Sequence, residues 1–210
     1  AKWKICFCNP TSHTQKVPMP PANEAVLAFL GSRHSYPART LGMPLPDDKQ
    51  LTALLTLAAR SPDHGKLVPW RFIVIKKPAL ARLSDLAKAH ADALAVDEGK
   101  RAKAHGQFDF GNLVVAVVSS PKDIERIPLA EQLLSAGAVC AALVNAAQAA
   151  GFGGCWLSGW PSHDSTFTQS AFGLSAHETL AGLVHLGTPG QSVPQTARPD
   201  IASITEWMGS

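Results

Sequence analysis

The sequence of 210 residues is 46% hydrophobic and 17% charged, with a formal net charge of +3, so it has the apolar content for one well-buried core. Its cationic residues are scattered, which argues against a nucleic-acid partner, because such sites need clustered basic groups. No apolar run near the ~18 to 20 residues of a bilayer span is read, nor an apolar leader with a basic flank, and the expectation is a cytoplasmic protein without membrane attachment.

Residues 1–21 stand apart as an N-terminal extension, mobile or draped on a partner, ahead of a domain over residues 22–210. They are rich in lysine and proline without a sustained period. Cys6, Cys8 and His13 supply three ligands but lack the paired spacing of a zinc site. Asn23 is placed to cap a helix running to Leu30, with Val26, Leu27 and Leu30 on one face and Gly31 at its end. Ser32 to Arg39 then brings two arginines and several hydroxyls together. Guanidinium and hydroxyl donors suit a phosphate, although a short polar cluster between helices also reads as a solvated turn.

The next helix is expected over Leu45 to Ala59, with Pro46 in its first turn and Asp47 and Asp48 near its positive end. Arg60-Ser61-Pro62 should stop it, since the residue before a proline is pushed out of the α region. A polar loop, Asp63-His64-Gly65-Lys66, follows. It leads into Phe72-Ile73-Val74-Ile75, which reads as a central, fully buried strand.

Ala79 to Val96 has the spacing of an amphipathic covering helix. Asp97 to Asp109 is polar and without a strong period, and reads as a short helix that moves over a site. Leu113 to Val118 is a second buried strand. Leu129 to Ala150 is the longest helix, apolar nearly all round and therefore buried on most faces, with Gly151 as its cap. Cys140 and Cys155 sit in small or apolar surroundings and read as buried hydrophobes.

Gly151 to Trp160 follows a helix and opens a strand, so its glycines are not a dinucleotide-binding fingerprint, which needs the opposite order. Its end, Trp156-Leu157-Ser158-Gly159, offers backbone N–H groups and a flat aromatic surface to a planar ligand, or else a glycine-rich connection with core tryptophans. Asp164 to Phe172 reads as a helix stopped by Gly173. Thr179 to Leu186 reads as a buried strand with Gly187 to Gly190 as its turn, and His185 within it as a satisfied core histidine.

No G-x-S-x-G elbow or H-E-x-x-H is present, the eight histidines are dispersed without ligand spacing, and carboxylates are scarce around the informative stretches. Arginines, hydroxyls, a lysine and backbone donors suit a phosphorylated planar cofactor that carries the reaction itself. Taken in order, Ser32-Arg33-His34-Ser35, Ala59 to Phe72, Gly151 to Gly159 and His185-Leu186-Gly187-Thr188-Pro189 resemble the nitroreductase family of FMN-dependent, NAD(P)H-using oxidoreductases, in its small single-domain bacterial branch.

The resemblance implies an α+β fold with a central mixed β-sheet flanked by helices, in an entwined homodimer with FMN at the interface. It implies that Arg33, His34 and Ser35 hold the FMN phosphate and ribityl chain, that Arg60 and His64 reach the flavin of the neighbouring subunit, and that Trp156, Leu157 and Ser158 run beside its ring. Arg198 is placed near the phosphate by a looser match. The implied activity passes hydride from NAD(P)H through flavin N5 to a small nitroaromatic or quinone acceptor by a ping-pong mechanism, with no metal and no catalytic side chain. Flavin storage without turnover, and sibling flavin chemistry such as dehalogenation or flavin fragmentation, are the alternatives.

Overall fold

A computed structural model describes residues 21–194 and 196–209. The features expected of Cys6, Cys8 and His13 lie outside the described residues. Helix α1, Glu24–Ser32, belongs to a unit that ends at Ser32, and Arg33 onward forms a second unit. As expected, Asn23 caps α1, its side-chain oxygen accepting from the Val26 N–H at 3.2 Å. The helix runs through Gly31 to Ser32, whose hydroxyl donates to the Ala28 carbonyl.

The second unit is built on a five-stranded sheet. Its strands are β1, Leu41–Gly42; β2, Trp70–Lys76; β3, Leu113–Ser119; β4, Gly153–Leu157; and β5, Thr179–Pro189. Strand β5 pairs with β3, with β4 and with β1, while β2 pairs with β3, and every pairing is antiparallel. The class is α+β as expected, but the sheet is antiparallel rather than mixed. Helices α2 (Asp48–Ala58), α3 (Lys77–Ala93), α4 (Glu98–Asp109), α5 (Leu129–Ala149) and α6 (Ser165–Phe172) cover it.

Period-two alternation divides the interior. Val115, Val117, Val184 and Leu186 pack with Ala136, Val139 and Leu143 of α5. Val114, Ala116, Val118 and Leu183 pack with Leu80 and Leu83 of α3, Phe108 of α4 and Phe167 of α6. All seven residues of β3 are buried, each large one contributing about 1.5–3 kcal/mol of hydrophobic stabilisation. Helix α5 has the length and apolar composition of a membrane span, against the sequence expectation that no such run exists. Its small residues instead pack closely on the sheet.

Four expectations are corrected. Helix α2 begins at Asp48, because Asp47 forms a reciprocal capping box with Gln50, and Leu45 and Pro46 therefore precede it. Strand β2 is an edge strand with Val74 and Lys76 exposed, so its apolar run does not mark a central position. Strand β5 continues through Gly187 and Thr188 to Pro189, because Gly187 pairs with Gly153 of β4 and Thr188 and Pro189 pair with Gly42 and Leu41 of β1. His185 is buried, but neither ring nitrogen has a hydrogen-bond partner; burial alone lowers its pKa to about 4 and holds the ring neutral. Cys140 and Cys155 are buried free thiols, as expected, pushed up to about 12 by the same effect.

Candidate functional site

Two surface clefts flank the end of β4. One, of about 670 Å³, lies between α4 and the residues after β4, and is lined by Pro37, Arg39, Gly99, Lys103, Gln107, Phe110, Leu157, Ser158 and Gly159. That volume is in the range of small-molecule and cofactor sites. Helix α4 forms because Asp97 caps it by accepting from the Lys100 N–H at 2.9 Å. It is held on the sheet by Ala104 and Phe108, both fully buried, which leaves its Gly99, Ala102 and Gly106 side low enough to admit a ligand.

Gln107 is the polar centre of this cleft. Its side chain is buried, its Nε2 donates to the Ala104 carbonyl at 3.1 Å, and its Oε1 has no donor. Gly159 lies against this amide; a Cβ there would stand 3.0 Å from Oε1 and 3.2 Å from Nε2. Glycine thus lets the backbone pack directly on an acceptor that is buried without a donor. Arg39 and Lys103 supply positive charge at its wall.

The expected phosphate segment adjoins this cleft along the chain. The Tyr36 N–H donates to the Gly154 carbonyl at 3.2 Å, which lays residues 33–36 beside β4. His34 packs on Tyr36 with ring centroids 4.6 Å apart, and Ser35 is exposed. The Arg33 Nε is buried without a partner, and the Arg198 guanidinium donates to the Arg33 carbonyl at 3.0 Å. Two cationic residues far apart in sequence therefore meet at one place.

Trp156 is separated from Leu157 by the strand alternation, and Ser158 lies just past the end of the strand, on the first cleft. It lines the second cleft, of about 660 Å³, with Leu133, Leu134, Ser162, Thr168 and Glu178. Its indole N–H donates to the Ala181 carbonyl at 3.2 Å, and a Cβ at Gly182 would overlap its ring. Glu178 is nearly buried and is gripped by Arg71 through two hydrogen bonds of 2.7 and 2.9 Å. That interaction, assisted by the Ser175 N–H, holds its carboxyl well below the usual range.

Arg60 and His64 line neither cleft. Arg60 is exposed beyond the end of α2, and the His64 Nδ1–H donates to the Glu131 carboxylate of α5 at 2.7 Å. Their loop is closely held: the Asp63 carboxylate accepts from the N–H groups of Leu67 and Val68, whose carbonyls accept from Lys122. Lys66 and Val68 have positive φ values of 54° and 49°. For a β-branched valine this is a strained conformation that the surrounding bonds must enforce.

The sequence reading did not select Arg39, Lys103 or Gln107. The sequence signal that could have found them is the spacing of small residues at Gly99, Ala102 and Gly106, which leaves one side of α4 low. Among the described residues no group of three or more His, Cys, Asp or Glu is placed to hold a metal ion. The cleft thus offers a cationic wall and a flat floor at the end of β4.

An antiparallel sheet covered by five helices is the architecture this chain shares with solved nitroreductase-like structures. The chain belongs to the nitroreductase family, whose model matches residues 30–188. A Haemophilus influenzae protein named "Putative NAD(P)H nitroreductase" is 35% identical over 174 residues, spanning 82% of this chain and 92% of its own. The Escherichia coli K12 protein named "Putative NAD(P)H nitroreductase YdjA" is 34% identical over 163 residues, covering 78% and 87%. Among solved structures, a nitroreductase-like family protein from Bacillus cereus superposes with a TM-score of 0.70 at 20% identity over 96% of this chain and all of its own. An FMN-dependent nitroreductase from Clostridium difficile superposes at 0.63 and 16% identity, covering 88% and 99%.

Proposed function

We propose that this protein is an NAD(P)H-dependent FMN oxidoreductase acting on small nitroaromatic or quinone-type acceptors. The observation that carries the reading is the cleft between α4 and the end of β4, with its cationic wall. FMN, when bound, supplies the hydride chemistry, receiving two electrons from NAD(P)H and releasing them to the acceptor in a second, ping-pong half-reaction. The relatives named as NAD(P)H nitroreductases support the nicotinamide donor.

The chain's own residues bind and orient. Arg33, His34, Ser35 and Arg198 hold the phosphate end. Leu157 and Ser158 present the strand end to the flat ring, and Lys103 and Arg39 favour negative charge on it. Trp156 takes part through its backbone, its indole fixing the strand from the far side. Arg60 and His64 serve the site of a neighbouring subunit in a homodimer. That assembly is supported by exposed apolar side chains in this unit, Leu134 at 74% and Trp207 at 89%. In this reading residues 22–210 form the FMN-binding domain, and the protein works in the cytoplasm, where its reductant is found.

The absorption spectrum of the purified protein, recorded before and after anaerobic addition of NADH or NADPH, tests the proposal. Flavin bands that bleach on reduction and return on adding a quinone are expected. A colourless protein that takes up no added FMN would overturn it.

A further inference from the structure

We infer that Trp160 sets the width of the cleft between α4 and the end of β4, and with it the largest planar acceptor that the cleft admits. The inference rests on the reading above that the acceptor is reduced in this cleft, and goes beyond it by assigning the selection of acceptor size to one side chain. The cleft has two walls, the helix α4 and the segment Leu157 to Gly159 at the end of β4. The second wall grips the first at two points. Gly159 lies with its backbone on the Gln107 amide, where a Cβ would stand 3.0 Å from Oε1. Trp160, the next residue, reaches the other end of the helix with its indole, whose N–H donates to the Lys100 carbonyl at 3.0 Å. Lys100 and Gln107 share one stripe of α4, about two turns or 10 Å apart. Ala102, Lys103 and Gly106, which line the cleft, fall within that interval.

The indole is seated firmly enough to act as a spacer. Its ring stacks on His90 of α3, with centroids 5.9 Å and planes 21° apart, and His90 packs in turn on the buried Phe167 of α6 at 5.5 Å. The His90 Nε2 stands 3.1 Å from the Asp164 carboxylate, in contact but off the line of a hydrogen bond. Asp164 is itself fixed by accepting from the Phe167 N–H. Pro161 and Ser162, which follow Trp160, are buried. Helix α4 is anchored in the core toward its C-terminal end by Ala104 and Phe108, whereas residues 98–100 are exposed. Arg101 ties that exposed end to Asp92 of α3, its neighbour on the same side, and the Trp160 bond ties it to the opposite wall. Loss of the Trp160 bond therefore frees the helix where the core does not hold it, and the cleft opens there.

Trp160→Phe keeps an aromatic ring on His90 and removes the N–H, so the fold should survive the change. In hydrogen exchange of the purified protein, the amides of residues 101–105 should exchange about fivefold faster, the effect of one hydrogen bond, with those of α6 unchanged. Turnover with FMN and NADPH is then compared for benzoquinone and naphthoquinone, which share one chemistry and differ by a fused ring. The variant should raise the ratio of kcat/KM for naphthoquinone over benzoquinone at least about fivefold, through KM, with both kcat values within about twofold of wild type. Comparing the ratio between variant and wild type cancels the intrinsic reactivity of the two quinones. Unchanged exchange overturns the inference. So does faster exchange with an unchanged ratio, or a parallel fall in kcat for both quinones, since either leaves Trp160 a structural role alone. A wild type that binds no FMN and reduces neither quinone would remove the functional reading and the selection of acceptors with it.

Discussion

Replacing Arg71 by methionine isolates the most consequential ion pair in the described structure. Glu178 has only 7% of its side chain exposed against 40% for Arg71, so the substitution strands a nearly buried carboxylate while its partner is half in water. Breaking a fully buried pair costs about 3–5 kcal/mol; with the solvent screening available to Arg71 we expect about 2 kcal/mol at pH 7. Glu178→Gln should cost about 1 kcal/mol, since the amide still accepts from the Ser175 N–H but loses the charge-assisted bonds. The double variant should be more stable than the sum of the two losses predicts, by at least about 1 kcal/mol, because the second change removes the stranded charge.

The pH dependence supplies an independent check. Glu178 has its folded pKa depressed below the ordinary 4.5, so the stability it contributes is fully present above that value and is lost as pH falls below it. In Arg71→Met the carboxyl no longer has that reason to stay ionised, and protonation should relieve the penalty as pH approaches 4. Urea unfolding at pH 7 and pH 4 measures both effects. Additivity of the two single variants within about 0.5 kcal/mol, or a penalty unchanged by pH, would refute the reasoning.

His185 should produce a different acid limb. Its folded pKa of about 4 lies below the ordinary 6.5, so between those values the unfolded chain takes up a proton that the fold refuses. Stability should fall with pH through that window by at most about 1.4 kcal/mol per unit, and His185→Leu should flatten the slope in urea titrations. Gly182→Ala should displace the Trp156 indole, costing about 1–3 kcal/mol and shifting the protein's tryptophan emission; an unaltered spectrum and melting temperature would contradict the overlap. Asp47→Ala removes half of the α2 capping box and should cost about 1 kcal/mol. Trp70→Phe loses the indole bond to the Ser135 hydroxyl, which itself donates to the Pro62 carbonyl, and calorimetry should show a loss of about 1 kcal/mol.

The features legible in the sequence were those governed by local chemistry. Asn23 caps its helix as read, the segments opened at Asp97 and Asp164 are helices that those two residues cap, Gly173 ends α6 with a φ of 66°, and Gly151 follows α5 with a φ of 86°. The unbroken valine-rich run of β3 is buried at every position. Features set by distant partners were not legible. The apolar residues of β2 look like those of β3, and only the absence of a second neighbouring strand makes it an edge. The continuation of β5 depends on Leu41 and Gly42, nearly 150 positions earlier by the register Leu41 to Pro189. The site was half visible. Leu157 and Ser158 are at the cleft and Arg33 meets Arg198, but Gln107 meets the backbone of Gly159 through packing that no motif announces.

Helix α5 gives these scattered parts a common frame. Glu131 holds His64, Ser135 holds Trp70, and Gly137 lies against the Trp156 ring. The loop after α2 and the strand beside the cleft are therefore gauged from three positions within two turns of one rod. Were that rod to slide by a single residue, every one of these settings would be lost together, while the helix itself could remain well formed. Its run of alanines, with few bulky teeth to index the sliding, makes Trp156 and Trp70 the pegs that keep the measure true.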